Sequence, residues 1–481
     1  MPAKIFRDPW VLRSFQHQQT VNSSLKSSLN FLLHPVPDAV AVPVKPAPKI
    51  ERPAVESLPP QPAPLDRPLK VGVLTDLEWH DKAGGHVKCW EKFAQAAGEL
   101  ADELDLTLHF IGAEDKTIVL KPNVRLRLSP AVLNTRWIPA NAAGPGHSDL
   151  APLKPSLFSQ LKHYDVIHCT DVFASAKTAL LHARLAGTPV VKSIHTDLPK
   201  FTRIYSRDMI RKLSGGGRLS DWLTGSLGLH EWLARNMQRK LERFVSRCDH
   251  VLYSREDDLR WLGDLQPAAN LSRLRRGIDK SAFNPRHNNR YGFGEWGIPG
   301  DRFLLLFAGR VDDSKGAMIL ARAARRLLDK GYPAHVVFAG TGASEQDIRT
   351  LLGRHVTLPG TVSQARLAEL YASCDLFVFP SHTETFGNVC LEACSSGMPI
   401  VVPEGEPMTQ FISRPGIDGF TVAGDDPEQW ANTIEPLIKH PEKLARASLL
   451  TREHIEKFWP SWKDVLRDDL LAAWKGVFRK Q

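Results

Sequence analysis

The sequence contains no apolar run close to the roughly 20 residues that a membrane-spanning helix needs. It is also poor in cysteine, with six residues that form no CxxC pair, although Cys390 and Cys394 lie one helical turn apart. Two such residues provide neither a structural zinc site nor a disulfide framework. We therefore expect no transmembrane helix and no structural metal, and thiols that are reduced as in the cytosol.

Two common ligand signatures are missing as well. The sequence has no Walker loop, which marks a common phosphate site of α/β proteins, and no Asp-x-Asp metal motif. What is present is an ordinary globular composition, 42% hydrophobic and 24% charged, in 481 residues, which are enough for two or three domains.

Residues 1–66 are predicted to lie outside the globular part of the chain. Eleven prolines between Pro35 and Pro68 fix φ and remove backbone donors, which favours an extended tether. Residues 1–34 are rich in Ser and Gln and carry four Lys or Arg and one Asp. That balance is typical of an organelle transit peptide and equally of a low-complexity arm, and both interpretations stay open.

From Leu69 onward the sequence predicts two α/β units. Short apolar runs alternate with stretches of helical periodicity, which indicates parallel sheets with right-handed crossovers. We assign residues 67–295 to a first Rossmann-like domain and residues 296–459 to a second. The predicted fold class is therefore α/β, with two Rossmann-like domains whose parallel sheets face each other across a cleft.

The stretch ETFGNVCLE places two carboxylates, Glu384 and Glu392, across a predicted strand–loop–helix junction. Residues 376–379 form a continuous apolar run typical of a strand buried on both faces, and a short helix that ends near Gly397 comes after it. Ligands of open α/β sheets bind at the carboxyl ends of strands. Because Glu392 lies roughly 9 Å beyond Phe386 along the helix, the two carboxylates need not share a proton. We expect them to bind different parts of one elongated ligand.

Four features follow one another along the chain: a Gly-Gly loop at 84–85, GR…KG at 309–316, GTG at 340–342 and the glutamate pair within ETFGNVCLEACSSGMPIVVP. In this order they resemble glycosyltransferase family four, and the resemblance runs from about Leu69 to the C-terminus. The resemblance implies the two-domain GT-B fold, transfer with retention of configuration, and a terminal helix, residues 460–481, that crosses back to the first domain.

Three further segments are similar to the glycolipid-forming members of that family. They are ETFGN, HTDLPKF (195–201) and RGIDKSAFNP (276–285). Those members include phosphatidylinositol and diacylglycerol mannosyltransferases and sulfoquinovosyl transferases. The resemblance therefore implies a hexose that moves from a nucleotide diphosphate sugar to a lipid or membrane-linked acceptor.

The junction also predicts where a diphosphate binds. Phe386, Gly387 and Asn388 fall at the helix N-terminus, whose free N–H groups and dipole favour anions. Arg310 and Lys315 come after the first strand of the second unit and are expected at the same place. Two fixed cations and a helix dipole can stabilise the charge on a leaving diphosphate, so we predict that no metal or other cofactor is required.

The resemblance assigns the remaining contacts. It places Glu384 near the transferred sugar, Glu392 on the ribose, and His195, at the end of a first-domain strand, near the donor sugar. Gly85 is expected to present its backbone to the diphosphate or the acceptor, and Val362 to contact the base. No dedicated general base is expected, since the leaving phosphate oxygen takes the acceptor's proton.

The donor base is predicted from the two residues after Val362. Ser363 and Gln364 lack the acidic side chain that guanine-binding relatives carry there. This favours a UDP-sugar over a GDP-sugar.

The net charge of +9 is concentrated in residues 200–247, where basic and aromatic residues alternate. Such a composition suits an anionic membrane surface, although a solvated helix face is the simpler interpretation. We expect a cytoplasmic protein that associates peripherally with membranes, unless residues 1–34 direct it to an organelle. The basic residues at the start of the segment are Lys200, Arg203, Arg207, Arg211 and Lys212, and the apolar ones include Phe201, Ile204, Tyr205, Met209, Ile210, Trp222 and Trp232.

Three alternatives stay open. The same chemistry could act on a soluble sugar or a polysaccharide. A sugar-nucleotide epimerase would share the fold but has no evident need of the glutamate pair. A non-catalytic nucleic-acid-binding protein would use the positive charge, but the sequence lacks a recognition-helix motif or an RNP-type aromatic run, so we expect no nucleic-acid partner.

Overall fold

The computed structural model describes residues 65–80, 85–133, 149–195, 198–213, 217, 222–384 and 386–478. All of them belong to one compact unit, Leu58–Gln481. The predictions for residues 1–64, for Gly84 and for the loop residues Thr196 and Asp197 fall outside the described part of the chain. Among the described residues, no helix combines the length and apolarity needed to cross a membrane.

The first sheet has eight strands in the order β3-β4-β2-β1-β5-β6-β7-β8. Neighbouring strands are parallel except for β3 and β4. The strands are β1 (Leu69–Glu78), β2 (Leu104–Ile111), β3 (Lys116–Lys121), β4 (Val124–Ser129), β5 (Val166–Cys169), β6 (Val190–Ile194), β7 (His250–Tyr253) and β8 (Leu271–Arg273).

The edge of this sheet departs from the predicted alternation of strands and helices. Strands β3 and β4 are joined by Pro122 and Asn123 alone, and a connection this short permits only an antiparallel pair. Asn123 fixes the turn by donating hydrogen bonds to the carbonyls of Ala97 and Leu104, at 2.8 and 2.9 Å. The exposed β3 is therefore an edge that extends the sheet without a crossover helix.

Six helices accompany the first sheet among the described residues. They are α1 (Gly85–Ala97), α2 (Pro155–Leu161), α3 (Ala174–Ala186), α4 (Leu198–Leu213), α5 (Leu229–Val245) and α6 (Glu256–Gly263). Helix α1 packs Val87, Trp90 and Phe93 into the core beside the sheet, as its apolar spacing of three and four predicts.

The second sheet has six strands, all parallel, in the order β11-β10-β9-β12-β13-β14. Its strands are β9 (Phe303–Ala308), β10 (Ala334–Ala339), β11 (Val356–Gly360), β12 (Leu376–Val378), β13 (Ile400–Pro403) and β14 (Phe420–Val422). Its helices are α7 (Ala317–Asp329), α8 (Glu345–Leu352), α9 (Gln364–Ser373), α10 (Asn388–Ser395), α11 (Pro427–Lys439) and α12 (Pro441–Phe458).

Strand order places the candidate site at the centre of the second sheet. Successive strands run outward from β9 toward β11 on one side and from β12 toward β14 on the other, so β9 and β12 flank a topological switch point. Crevices at such points, outside the carboxyl ends of the strands, are the usual ligand sites of open α/β sheets. Leu376, Phe377 and Val378 of β12 are fully buried, which confirms the predicted strand.

The C-terminal helix returns to the first sheet. It consists of α13 (Trp462–Val465) and α14 (Ala472–Phe478), joined by the π-helical turn Leu466–Leu471. Trp474 is fully buried within the core of the first sheet. The crossover predicted from the family resemblance is thus confirmed, whereas the exact domain boundaries at 295 and 459 remain predictions.

Candidate active site

The junction after β12 has the geometry that the sequence predicted. Gly387 precedes α10 with φ of 83°, in the left-handed region, and a Cβ there would lie 2.4 Å from Met408 Cγ. Both the conformation and the packing therefore require glycine. Phe386 packs edge-on to Phe411 and Trp459, which anchors the loop while the first N–H groups of α10 stay free of intrahelical partners.

Lys315 and Glu384 meet at the switch point. Lys315 Nζ lies 2.5 Å from Glu384 Oε1 and donates a second hydrogen bond to Thr383 Oγ1 at 2.9 Å. The neighbouring Gly316 has φ of 72°, and a Cβ there would lie 2.2 Å from the Pro380 carbonyl oxygen. Only glycine lets the loop after β9 press against the loop after β12. The predicted lysine and glutamate are thereby brought into contact.

Arg310 lies on the same loop but faces its own segment. Its guanidinium is 3.2 Å from Asp312 Oδ2 and 3.1 Å from Ser314 Oγ, and its side chain is 68% exposed. The structure therefore places Lys315, and not Arg310, on Glu384. Arg310 nevertheless belongs to the same loop as Lys315, and its guanidinium is exposed.

Glu392 is the fifth residue of α10 and lies about one turn beyond the helix N-terminus. Burial raises its pKa to about 7, although the Tyr371 hydroxyl and Lys92 act in the opposite direction. Lys92 projects from α1 of the first domain, and its Nζ is 3.2 Å from Gln364 Oε1 beside the predicted base site. Val362 is half-buried and packs against the hydrophobic core of the second sheet. A lysine of the first domain therefore lies beside the second-domain residues that are predicted to contact the ribose and the base.

Gly85 begins α1, and a Cβ built on it would meet no atom within 4 Å. Packing therefore does not demand glycine at this position. Approach of a ligand remains a prediction for Gly85. Its neighbour Gly84 lies outside the described residues.

His195 ends a buried chain of hydrogen bonds that begins at the C-terminal helix. Trp474 Nε1 donates to His168 Nδ1 at 3.0 Å, His168 Nε2 lies 2.7 Å from Ser193 Oγ, and Ser193 Oγ lies 2.7 Å from His195 Nε2. Burial lowers the pKa of both imidazoles well below the usual value, and nearby cationic and imidazole groups add to the shift. Both rings are therefore neutral near pH 7.

The donor-only indole fixes the direction of this chain. Because His168 Nδ1 accepts from Trp474, the proton of neutral His168 is on Nε2 and is donated to Ser193 Oγ. The Ser193 hydroxyl then donates to His195 Nε2, so the proton of His195 is on Nδ1. His195 is consequently a hydrogen-bond donor through Nδ1 and not a base poised near neutral pH.

Three residues at this site were not assigned from the sequence. Lys92 and Trp474 belong to no motif, and Arg276, although inside the RGIDK segment, had no role attached. Arg276 lies over the Phe386 ring at 5.8 Å and contacts Cys89 Sγ at 2.7 Å. Only contacts between distant parts of the chain reveal them. Within the described ranges, no group of three or more His, Cys, Asp or Glu side chains has the arrangement of a metal site.

Comparison with known proteins relates the chain to glycosyltransferases. A family model described as Glycosyltransferase Family 4 matches residues 111–282, and one described as Glycosyl transferases group 1 matches residues 292–453. Together they cover well over half of the chain. The sulfoquinovosyl transferase SQD2 of Arabidopsis thaliana is 25% identical over 436 residues, which are 87% of this chain and 77% of that protein.

Two further kinds of similarity agree. A D-inositol 3-phosphate glycosyltransferase of Nocardiopsis dassonvillei is 27% identical over 71% of this chain and 80% of its own. Among solved structures, a Rickettsia africae glycosyltransferase gives a TM-score of 0.59 at 13% identity, covering 86% of this chain and 100% of that one. Anabaena HepE in complex with UDP gives 0.54 at 18% identity, over 81% and 96%. The predicted GT-B architecture is confirmed.

Proposed function

Because the chain belongs to glycosyltransferase family four, we propose that it transfers a hexose from a nucleotide diphosphate sugar to a lipid or membrane-linked acceptor, with retention of configuration. The observation that carries this proposal is the contact between Lys315 and Glu384 at 2.5 Å, beside the start of α10. It joins a cation, a carboxylate and a helix N-terminus at the switch point of the sheet. Such a constellation fits a donor that combines a diphosphate with a sugar.

The donor is proposed to lie along the junction. Its diphosphate binds the N–H groups at Gly387 and Asn388, together with Lys315 and Arg310. The ribose hydroxyls donate to Glu392, the base contacts Val362, and Glu384 faces the hexose. A UDP-sugar is favoured over a GDP-sugar by the missing acid after Val362, and the UDP bound to Anabaena HepE supports this choice.

The proposed chemistry needs no base from the protein. The bond between C1 of the hexose and the terminal phosphate oxygen breaks, and its electron pair stays on that oxygen. The acceptor hydroxyl bonds C1 from the same face and gives its proton to the departing phosphate oxygen. Lys315, Arg310 and the α10 dipole stabilise the negative charge that develops, which is the role a metal plays elsewhere. His195 donates through Nδ1 to an oxygen of the hexose.

A membrane-linked acceptor is favoured by the paired helices α4 and α5. Among their described side chains and the π-helical turn Trp222–Ser226, Ile204, Trp222 and Trp232 are about half exposed. Arg207 and Arg211 are exposed beside them. Apolar anchors next to basic groups suit the interface of an anionic membrane. We place the enzyme peripherally on a cytoplasmic membrane surface.

A soluble acceptor is the second candidate. The relatives described as D-inositol 3-phosphate glycosyltransferases favour a small phosphorylated alcohol in place of a lipid. Both candidates share the donor site, so they differ only in what the first domain binds.

A donor panel tests the proposal. Nucleotide at one hundred times its Kd stabilises a protein by about 2.7 kcal/mol, so UDP should raise the melting temperature measurably and more than GDP. Slow hydrolysis of nucleotide sugars, measured as release of the diphosphate, then identifies the hexose. A chain that binds neither UDP nor GDP and hydrolyses no nucleotide sugar would falsify the proposal.

A further inference from the structure

Arg276 occupies a rigid position in the segment that links the two sheets. The preceding Arg275 is held by Asp469 of the C-terminal helix, through its guanidinium at 2.6 Å and its backbone N–H at 2.8 Å. The next residue, Gly277, packs so closely that a Cβ would lie 2.6 Å from the Trp462 backbone. Because both neighbours are fixed to the crossover helix, the backbone of Arg276 has little freedom.

The side chain of Arg276 reaches both domains at the cleft. Toward the first domain, its Nη1 contacts Cys89 Sγ of α1 at 2.7 Å. Toward the second, its guanidinium lies 5.8 Å from the centre of the Phe386 ring, next to the start of α10. It is also close enough to His86 and His195 to add to the lowering of their pKa values by burial.

Arg276 differs in its partners from three other cations near the junction. Lys315 is paired with Glu384, Arg310 with Asp312 and Arg275 with Asp469. Within the described parts of the chain, Arg276 makes no ion pair, and its one hydrogen bond goes to a thiol. Burial raises the pKa of Cys89, which keeps it a neutral, weak acceptor.

The guanidinium of Arg276 is half-buried, and its spare donors beside the start of α10 can form charge-assisted hydrogen bonds with an anion. We propose that Arg276 is a donor-binding residue whose guanidinium binds an oxygen of the terminal phosphate of the nucleotide diphosphate at the start of α10. This inference rests on the proposed function. Arg276 is then the cation that joins the diphosphate to the segment between the domains, in addition to Lys315 and Arg310 of the second domain.

The test compares nucleotides that differ in one phosphate. Binding of UDP and UMP, with GDP and GMP in parallel, is measured by calorimetry for the wild type, Arg276→Gln and Arg276→Lys. Arg273→Gln is the matched control, because Arg273 is exposed and pairs only loosely with Glu256 at 3.5 Å. A lost charge-assisted hydrogen bond should weaken UDP binding of Arg276→Gln roughly ten- to hundredfold. UMP binding should change less than about threefold. The affinity of Arg276→Lys for UDP should fall between those of the wild type and Arg276→Gln.

Two outcomes would overturn this inference alone. Unchanged UDP binding by Arg276→Gln means that the guanidinium does not contact the diphosphate. If the variant loses affinity equally for UDP and UMP and also melts at a lower temperature than the control, then Arg276 only holds α1 against the Phe386 loop. A wild type that binds none of the four nucleotides overturns the proposed function itself and this inference with it, and that result is distinct from a defect confined to the variants.

Discussion

The two halves of the site hold their polar groups in opposite ways. On the first sheet, Trp474, His168, Ser193 and His195 form a buried chain of neutral hydrogen bonds. On the second sheet, Lys315 and Glu384 form an ion pair whose side chains remain about one-fifth exposed. The first arrangement resembles a protein core, and the second resembles a binding surface whose charges are already in place.

The difference has a physical consequence for each half. A buried neutral network loses a whole hydrogen bond, with the desolvation cost of the orphaned group, whenever one member changes. A partly solvated ion pair contributes little to stability, yet its charges can reorganise around an incoming diphosphate. We therefore expect mutations of the first cluster to act on folding and mutations of the second to act on turnover.

The largest effect is expected at Trp474. Trp474→Ala should lower the free energy of unfolding by about 3–5 kcal/mol, because removal of a fully buried indole leaves a cavity. Trp474→Phe keeps a ring but leaves His168 Nδ1 without a donor, which should cost about 1–3 kcal/mol. Urea unfolding measures both, with Trp232→Phe, at a half-exposed position, as the control. If Trp474→Phe and the control were equally stable, the hydrogen bond from Trp474 to His168 would not have the role assigned to it in the buried chain of hydrogen bonds.

Lys315 tests the opposite half. Lys315→Met should reduce turnover by about a hundredfold, since it removes a cation from the leaving diphosphate. The free energy of unfolding should change by less than about 1 kcal/mol. The control is Lys439→Met, which removes an ion pair of the same 2.5 Å length on α11 and should leave turnover unchanged. A loss of stability without a loss of turnover would reverse the roles assigned to the two clusters.

The pH dependence of donor binding sharpens the comparison, because burial raises the pKa of Glu392, the proposed ribose ligand, into the neutral range. With a pKa of about 7, its carboxylate form accepts from the ribose above pH 7 and is lost below. Affinity for the nucleotide sugar should rise about tenfold between pH 6 and pH 8. The raised pKa also means that the stability contributed by the neutral acid is present below the usual carboxyl pKa and is lost as the pH rises through about 7.

The control for this prediction is Glu392→Gln, whose affinity should not vary with pH. The ligand should be the nucleotide sugar and not the free diphosphate, because a terminal phosphate titrates near pH 6 and would imitate the effect. A pH dependence that survives in Glu392→Gln would assign the titration to another group.

The smallest effect is expected at the membrane surface, where each basic residue contributes about 1 kcal/mol. Reversing Arg207 and Arg211 to Glu should weaken sedimentation with anionic vesicles at low salt roughly tenfold or more. Reversal of the exposed Arg349 and Arg354 in the second domain should not. Equal binding of the wild-type protein to neutral and anionic vesicles would remove the membrane from the proposal.

The sequence predicted the second domain better than the first, and the reason is local. The apolar run of β12, the glycines at 316 and 387 and the two glutamates stand close to one another along the chain, so pattern and turn chemistry sufficed. Strands β3 and β4 were not predicted from the sequence, because their pairing depends on a two-residue turn and an exposed edge. Helix α4 was seen only as a basic and aromatic segment.

The first-domain half of the site depends on distant pairings. Trp474 and His168 are 306 residues apart, and Arg276 reaches Cys89 across 187 residues. No spacing in one sequence reports such contacts. They arise because the C-terminal helix crosses back to the first domain. The family resemblance implied this crossover but did not identify the side chains that it brings together.

The central claim is that the Lys315–Glu384 junction holds the donor during transfer. It is tested most directly by release of nucleotide diphosphate from a labelled nucleotide sugar by the wild type and by Glu384→Ala. Turnover of the variant should be abolished while its melting temperature and its binding of UDP stay close to those of the wild type. A folded Glu384→Ala variant that retains full turnover would contradict the claim.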